Sequence, residues 1–180
     1  MAANLAGTTQ SLPPVTLVLG GARSGKSNFA ERITVAHARG CVYVATAEVG
    51  DDEMAERVRQ HQARRAAHWR TVEAPLALAD AIVAETEQGA AVLVDCLTLW
   101  LSNLMAAGRD PDRESDALIR GLGQAGGPVV FVSNEVGLGI VPDNALARAF
   151  RDHAGRLNQR IAEVANAVFF VAAGLPLRLK

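Results

Sequence analysis

The run Gly20-Gly21-Ala22-Arg23-Ser24-Gly25-Lys26-Ser27 constrains this chain more than any other stretch. It satisfies the pattern G-x-x-x-x-G-K-[ST], and it stands where an apolar segment, residues 15–19, gives way to helical spacing over residues 26–37. Glycines let such a loop wrap closely, so that its N–H groups converge on an anion at the start of a helix. Lys26 adds a positive charge near the outer phosphates of a nucleotide, and Ser27 can ligate magnesium. The pattern therefore predicts a strand, a turn and a helix, with Gly20, Gly21, Ala22, Arg23, Ser24, Gly25, Lys26 and Ser27 as nucleotide-binding residues.

The rest of the chain is spaced to match. Short aliphatic runs recur at 15–19, 42–46, 91–95, 129–133 and 168–172, and segments of helical periodicity lie at 26–37, 52–69, 76–87 and 144–166. Strands alternating with helices require a mostly parallel sheet with helices on both faces, an α/β arrangement of the RecA-like P-loop NTPase type. Asp51 or Asp52 is placed to cap the second helix and Asp143, after Pro142, the last one. Residues 108–127 read as an exposed helix between loops. The tail, 175–180, alternates apolar and polar residues and reads as an antiparallel edge strand. Residues 1–14 end in Pro13-Pro14 and read as a flexible leader, with a single domain over 15–180.

Bulk properties narrow the partners. Of 180 residues, 49% are hydrophobic and the formal net charge is -1, the balance of a globular protein rather than a disordered tail, and the basic residues form no long block to suggest nucleic acid. The densest basic group, Arg57, Arg59, Arg64 and Arg65, is interleaved with other residues and suits a local anion site. Cys41 and Cys96 are far apart and form no C-x-x-C pattern, so neither a zinc site nor a disulfide framework is expected, and a reducing cytoplasm fits. The most apolar stretch, 90–107, is interrupted by Asp95, Ser102 and Asn103, so no membrane span is expected.

Asp95 ends an aliphatic strand, the place of an aspartate that holds magnesium in P-loop proteins. The next residue is Cys96, not the glutamate that many motor-type ATPases use to activate water, which disfavours bulk hydrolysis. Ser133-Asn134-Glu135 lacks the Asn-Lys-x-Asp pattern of a switch GTPase. In the segment 52–69, positions 54, 58, 61 and 65 share one helical stripe, and Arg57, Arg64 and Arg65 surround His61 at helical spacing. Like charges disfavour imidazolium, so these arginines would keep His61 neutral and nucleophilic while gripping a phosphate.

Further runs accompany the phosphate loop in order: Tyr43-Val44-Ala45-Thr46, Asp51-Asp52-Glu53-Met54, His68-Trp69-Arg70-Thr71-Val72-Glu73, Ser133 through Pro142, and Gly155-Arg156-Leu157-Asn158-Gln159. Together they resemble the bifunctional adenosylcobinamide kinase and adenosylcobinamide-phosphate guanylyltransferase family, over nearly the whole chain from Val15. The resemblance implies an enzyme of cobalamin biosynthesis. It would first phosphorylate the aminopropanol hydroxyl of adenosylcobinamide, then transfer GMP from GTP onto that phosphate through a GMP-histidine intermediate, expelling pyrophosphate. The nucleophile falls on His61, and further nucleotide contacts fall on Ala45, Thr46, Ala47, Gln62, Ala63, Arg64, Arg65, Glu73 and Asp95. Magnesium with GTP or ATP, metal contacts at Ser27 and Asp95, a corrinoid acceptor and a homotrimer are implied as well. Where some relatives carry a second histidine, this chain has Gln60; His68 is the remaining rival to His61, and its place beside Trp69 reads as packing.

Two other functions stay open at this level. A kinase of another small metabolite would share the phosphate loop but form no covalent adduct, and a nucleotide-binding regulator would bind without turnover. ATP and GTP are not distinguished for the kinase step, and Glu135 and Asp52 are candidate bases only by position.

Overall fold

The computed structural model describes residues 11–36, 40–47 and 69–180. Seven strands form one sheet: β1 (Val15–Gly20), β2 (Cys41–Ala45), β3 (Trp69–Glu73), β4 (Ala91–Asp95), β5 (Val129–Asn134), β6 (Ala167–Ala172) and β7 (Leu175–Arg178), in the order β3-β2-β4-β5-β1-β6-β7. Every neighbouring pair is parallel except β6 with β7. Because β1, β2, β4 and β5 are covered on both faces, they are aliphatic at nearly every position rather than at alternate ones.

The period-two geometry of a strand divides those residues between two cores. Leu17, Val44, Val92 and Phe131 face four helices, α2 (Leu78–Thr86), α3 (Leu97–Ala106), α4 (Pro111–Leu122) and α5 (Ala145–Val164), from which Ile82, Leu104, Leu118 and Ile161 are fully buried. Val18, Tyr43, Leu93 and Val130 face the other way, onto Phe29 of α1 (Lys26–Val35). Each such aliphatic or aromatic side chain contributes about 1.5–3 kcal/mol on burial. Helices thus cover both faces of a mostly parallel sheet, with the tail as an antiparallel edge strand, as the sequence predicts.

Several local expectations change. The helix expected over 52–69 cannot include Trp69, which opens β3; residues 52–68, with the caps proposed at Asp51 and Asp52, lie outside the described residues. Trp69-Arg70-Thr71-Val72-Glu73 does not alternate in polarity, which hides β3 in the sequence. Helix α3 was not expected: its residues read only as the end of an apolar stretch. The segment 108–127 is less exposed than expected, because α4 packs against α2 and α5 and buries Ser115 and Leu118. Asp110 caps it, accepting hydrogen bonds from the N–H groups of Asp112 and Arg113. The cap of α5 is Asn144, whose Oδ1 accepts from the N–H of Ala147 at 2.7 Å, and not Asp143. The Asp143 carbonyl is held instead by Arg148 Nη1. Helix α2 starts at Leu78 rather than 76, since Trp100 Nε1 and Asn103 Nδ2 donate to the carbonyls of Leu76 and Pro75 and hold them outside the helix. At the other end of the chain, Leu12 packs against the α1-side core and the Pro14 carbonyl accepts from the N–H of Val129.

A buried polar network fixes the end of β5. Ser133 Oγ donates to Asn158 Oδ1 at 2.7 Å, Asn158 Nδ2 donates to the Asn134 carbonyl at 3.2 Å, and the Asn134 N–H donates to Thr98 Oγ1 at 2.8 Å. Helices α3 and α5 are thereby tied to the strand end between them. Asn158→Leu keeps most of the volume but removes the Asn134 carbonyl's side-chain donor and leaves Ser133 Oγ only the longer 3.4 Å contact with Thr98 Oγ1, and should lower stability by about 1–3 kcal/mol in urea unfolding. Unchanged stability would show that the network holds nothing in place.

Candidate nucleotide-binding site

In a parallel sheet the carboxyl ends of the strands form one rim, where ligands of open α/β sheets bind. The register brings the expected residues to it. Ala45 lies opposite both Asp95 and Glu73, and Gly20 opposite Asn134. The phosphate loop leaves β1 at Gly20 and enters α1 at Lys26. Gly25 caps that helix at φ +93°, a backbone that L side chains rarely adopt, and it provides no side-chain cap. The first N–H groups of α1 are therefore left for a ligand.

Lys26 is the charged centre of this loop. It is 8% exposed, and Nζ donates to the Gly21 carbonyl at 3.0 Å. Burial pushes its pKa below the ordinary 10.5, opposed by the nearby Asp95 carboxylate. One neutral carbonyl cannot offset a desolvated ammonium with three donors. A phosphate could.

Asp95 ends β4, and its Oδ2 accepts from the Tyr43 hydroxyl at 2.7 Å. Ser27, in the first turn of α1, and Asp95 are both hard oxygen donors on this rim. Among the described residues no group of three or more His, Cys, Asp or Glu side chains is gathered to hold a metal. A short oxygen set fits a magnesium ion that arrives with a nucleotide, because phosphates and water supply its remaining ligands. The Cys96 thiol is buried and pushed up to about 11, chiefly by desolvation and then by Asp95, so it is an inert thiol at neutral pH.

Thr46 is fully buried, and its hydroxyl donates to the Cys96 carbonyl at 2.8 Å while accepting from the Cys96 N–H at 2.9 Å. Asn103 Nδ2 donates to the Thr46 carbonyl at 2.7 Å. The turn of Ala45, Thr46 and Ala47 is thus locked to the end of β4. Glu73 is exposed on the same rim. His61, Gln62, Ala63, Arg64 and Arg65 lie outside the described residues, as does His68. Tyr43, Asn103 and Asn158 were not read as site-forming in the sequence. Tyr43 and Asn158 stand inside runs that carry the family resemblance, and that was the available signal.

Comparison with known proteins agrees with this geometry. The family described as "Cobinamide kinase / cobinamide phosphate guanyltransferase" matches residues 16–179. The chain belongs to this family. It is 52% identical over 167 residues to the bifunctional adenosylcobalamin biosynthesis protein CobP of Pseudomonas aeruginosa, covering 91% of this chain and 96% of that protein. It is 42% identical over 179 residues to the bifunctional adenosylcobalamin biosynthesis protein CobU of Salmonella typhimurium, covering 91% and 98%. Among solved structures, an ATPase of a type III secretion system matches with a TM-score of 0.58 at 14% identity over 93% of this chain, which spans 57% of that protein. A protein of Pyrococcus horikoshii matches with a TM-score of 0.55 at 8% identity, covering 94% and 87%. These structural likenesses concern the fold, a RecA-like P-loop architecture.

Replacing the buried ammonium separates binding from folding. Lys26→Ala should raise the dissociation constant for GTP by about 10- to 100-fold, the loss of a charge-assisted contact. The nucleotide-free variant should be no less stable, because a desolvated charge is removed. Titration calorimetry and thermal unfolding check both; unchanged affinity would count against the cradle.

Proposed function

We propose that this chain is a bifunctional transferase of cobalamin biosynthesis, phosphorylating adenosylcobinamide with a nucleoside triphosphate and then placing GMP on the product. The observation that supports this most is the convergence of the phosphate loop, Lys26 and Asp95 on one rim in a member of the kinase and guanyltransferase family. In the first reaction the acceptor hydroxyl attacks the γ-phosphorus, its proton is lost, and the nucleoside diphosphate leaves. In the second, a neutral His61 nitrogen attacks the α-phosphorus of GTP and expels pyrophosphate. The acceptor phosphate then attacks the same phosphorus, breaking the N–P bond and releasing His61.

Phosphoryl transfer depends mainly on positioning and electrostatics. Lys26 and the N–H groups at the head of α1 would grip the phosphates, while Asp95 is oriented by Tyr43. Magnesium, held by Ser27 and Asp95, would supply further charge compensation. The covalent route divides one exchange between two large substrates into two simpler displacements. Nucleotide contacts at Ala45, Thr46, Ala47, Gln62, Ala63, Arg64, Arg65 and Glu73 belong to this reading, as do a homotrimer and a cytoplasmic location.

GTP carrying a labelled α-phosphate should leave an acid-labile, base-stable label on the protein, and His61→Asn should abolish it. Label retained in that variant would remove His61 from the mechanism. Turnover of the kinase step without label in the unmodified protein would favour a plain kinase, and nucleotide binding without any turnover a regulator.

A further inference from the structure

The rear of the phosphate loop is packed against the turn that joins β6 to β7. Ala172 and Leu175 pair across this hairpin, and the two residues between them, Ala173 at φ +51° and Gly174 at φ +78°, both have left-handed backbones. That is the pattern of a tight two-residue turn matched to strand twist. The Gly174 N–H donates to the Ser24 carbonyl at 2.8 Å. A Cβ on Gly25 would stand 3.0 Å from Gly174 Cα, and one on Gly20 would stand 2.5 Å from the Val171 carbonyl oxygen. Both ends of the loop therefore touch the hairpin at distances that leave no room for a side chain.

We propose that this turn is a brace for the phosphate cradle, with Gly174 as a positioning residue for nucleotide binding. A trans peptide is planar, and its C=O and N–H point in opposite directions. The Ser24–Gly25 peptide is trans. The Gly174 bond holds the Ser24 carbonyl toward the hairpin, so the Gly25 N–H is aimed away from it, where it can donate to a phosphate held in the loop. Without the brace this peptide could rotate, and the donor would have to be reoriented each time a nucleotide arrived. The four residues of β7 are all exposed, so burial gives this strand little reason of its own to exist. Its pairing with β6 closes the turn that presents Gly174 to the loop.

The inference rests on the nucleotide reading above, and the test separates the two. Gly174→Ala adds a Cβ that meets nothing within 4 Å, but at φ +78°, next to Ala173 already at φ +51°, it puts a second strained alanine into the turn and weakens the hold on its N–H. Calorimetry with GTP should show a dissociation constant about three- to tenfold higher, the loss of one preorganised hydrogen bond. Leu118→Ala, in the core of α4, should lower the melting temperature yet leave that constant unchanged. Affinity within twofold of the unmodified protein in Gly174→Ala would overturn the brace while leaving the cradle standing. An equal loss in Leu118→Ala would overturn it too, since affinity would then follow global stability. Failure of the unmodified protein to bind GTP would instead sink the nucleotide reading. If Gly174→Ala does not fold, amide exchange in the unmodified protein decides. Saturation with GTP should slow exchange at Gly174, and an unchanged rate would overturn the coupling.

Discussion

One desolvated ammonium organises the ligand end of this molecule. Lys26 is carried into the interior by the first turn of α1, where burial disfavours its charge and the Gly21 carbonyl is a weak substitute for water. The Asp95 carboxylate offsets part of that penalty. An anion gripped by the loop would relieve the remainder.

Such a site needs a stiff frame, and polar clamps provide it where the strands end. Thr46 and Asn103 lock the turn after β2 to the end of β4, while Ser133, Asn158 and Thr98 lock the end of β5 to two helices. The Glu135 N–H then donates to the Gly20 carbonyl at 3.1 Å, joining β5 to the loop itself. Because these donors and acceptors are buried or partly buried and paired with one another, loosening one weakens its neighbours. The rim therefore behaves as a connected set of turns.

The sheet and the phosphate loop were legible in the sequence because their physics is local. Four aliphatic runs buried on both faces, a fifth apolar run in β6, and a glycine-rich turn before a lysine announce themselves within a few residues. β3 was not legible, since it lies at the sheet edge and is half exposed, which leaves Trp69 to Glu73 without periodicity. Helix α3 was concealed by following β4 with only Cys96 between, so strand and helix merged into one apolar stretch. The roles of Tyr43, Asn103 and Gly174 depend on partners 52, 57 and 150 positions away in sequence, a relation that only a folded chain reveals.

The central claim, that a buried cation is held ready for nucleotide phosphates, can be read directly from Lys26. With ¹⁵N-labelled lysine, its ammonium titration can be followed by NMR in the free protein and in the presence of saturating GDP. The account predicts a value below the ordinary 10.5 in the free protein and a rise when GDP binds. An ordinary value without nucleotide, or a lowered one that GDP leaves unmoved, would contradict it.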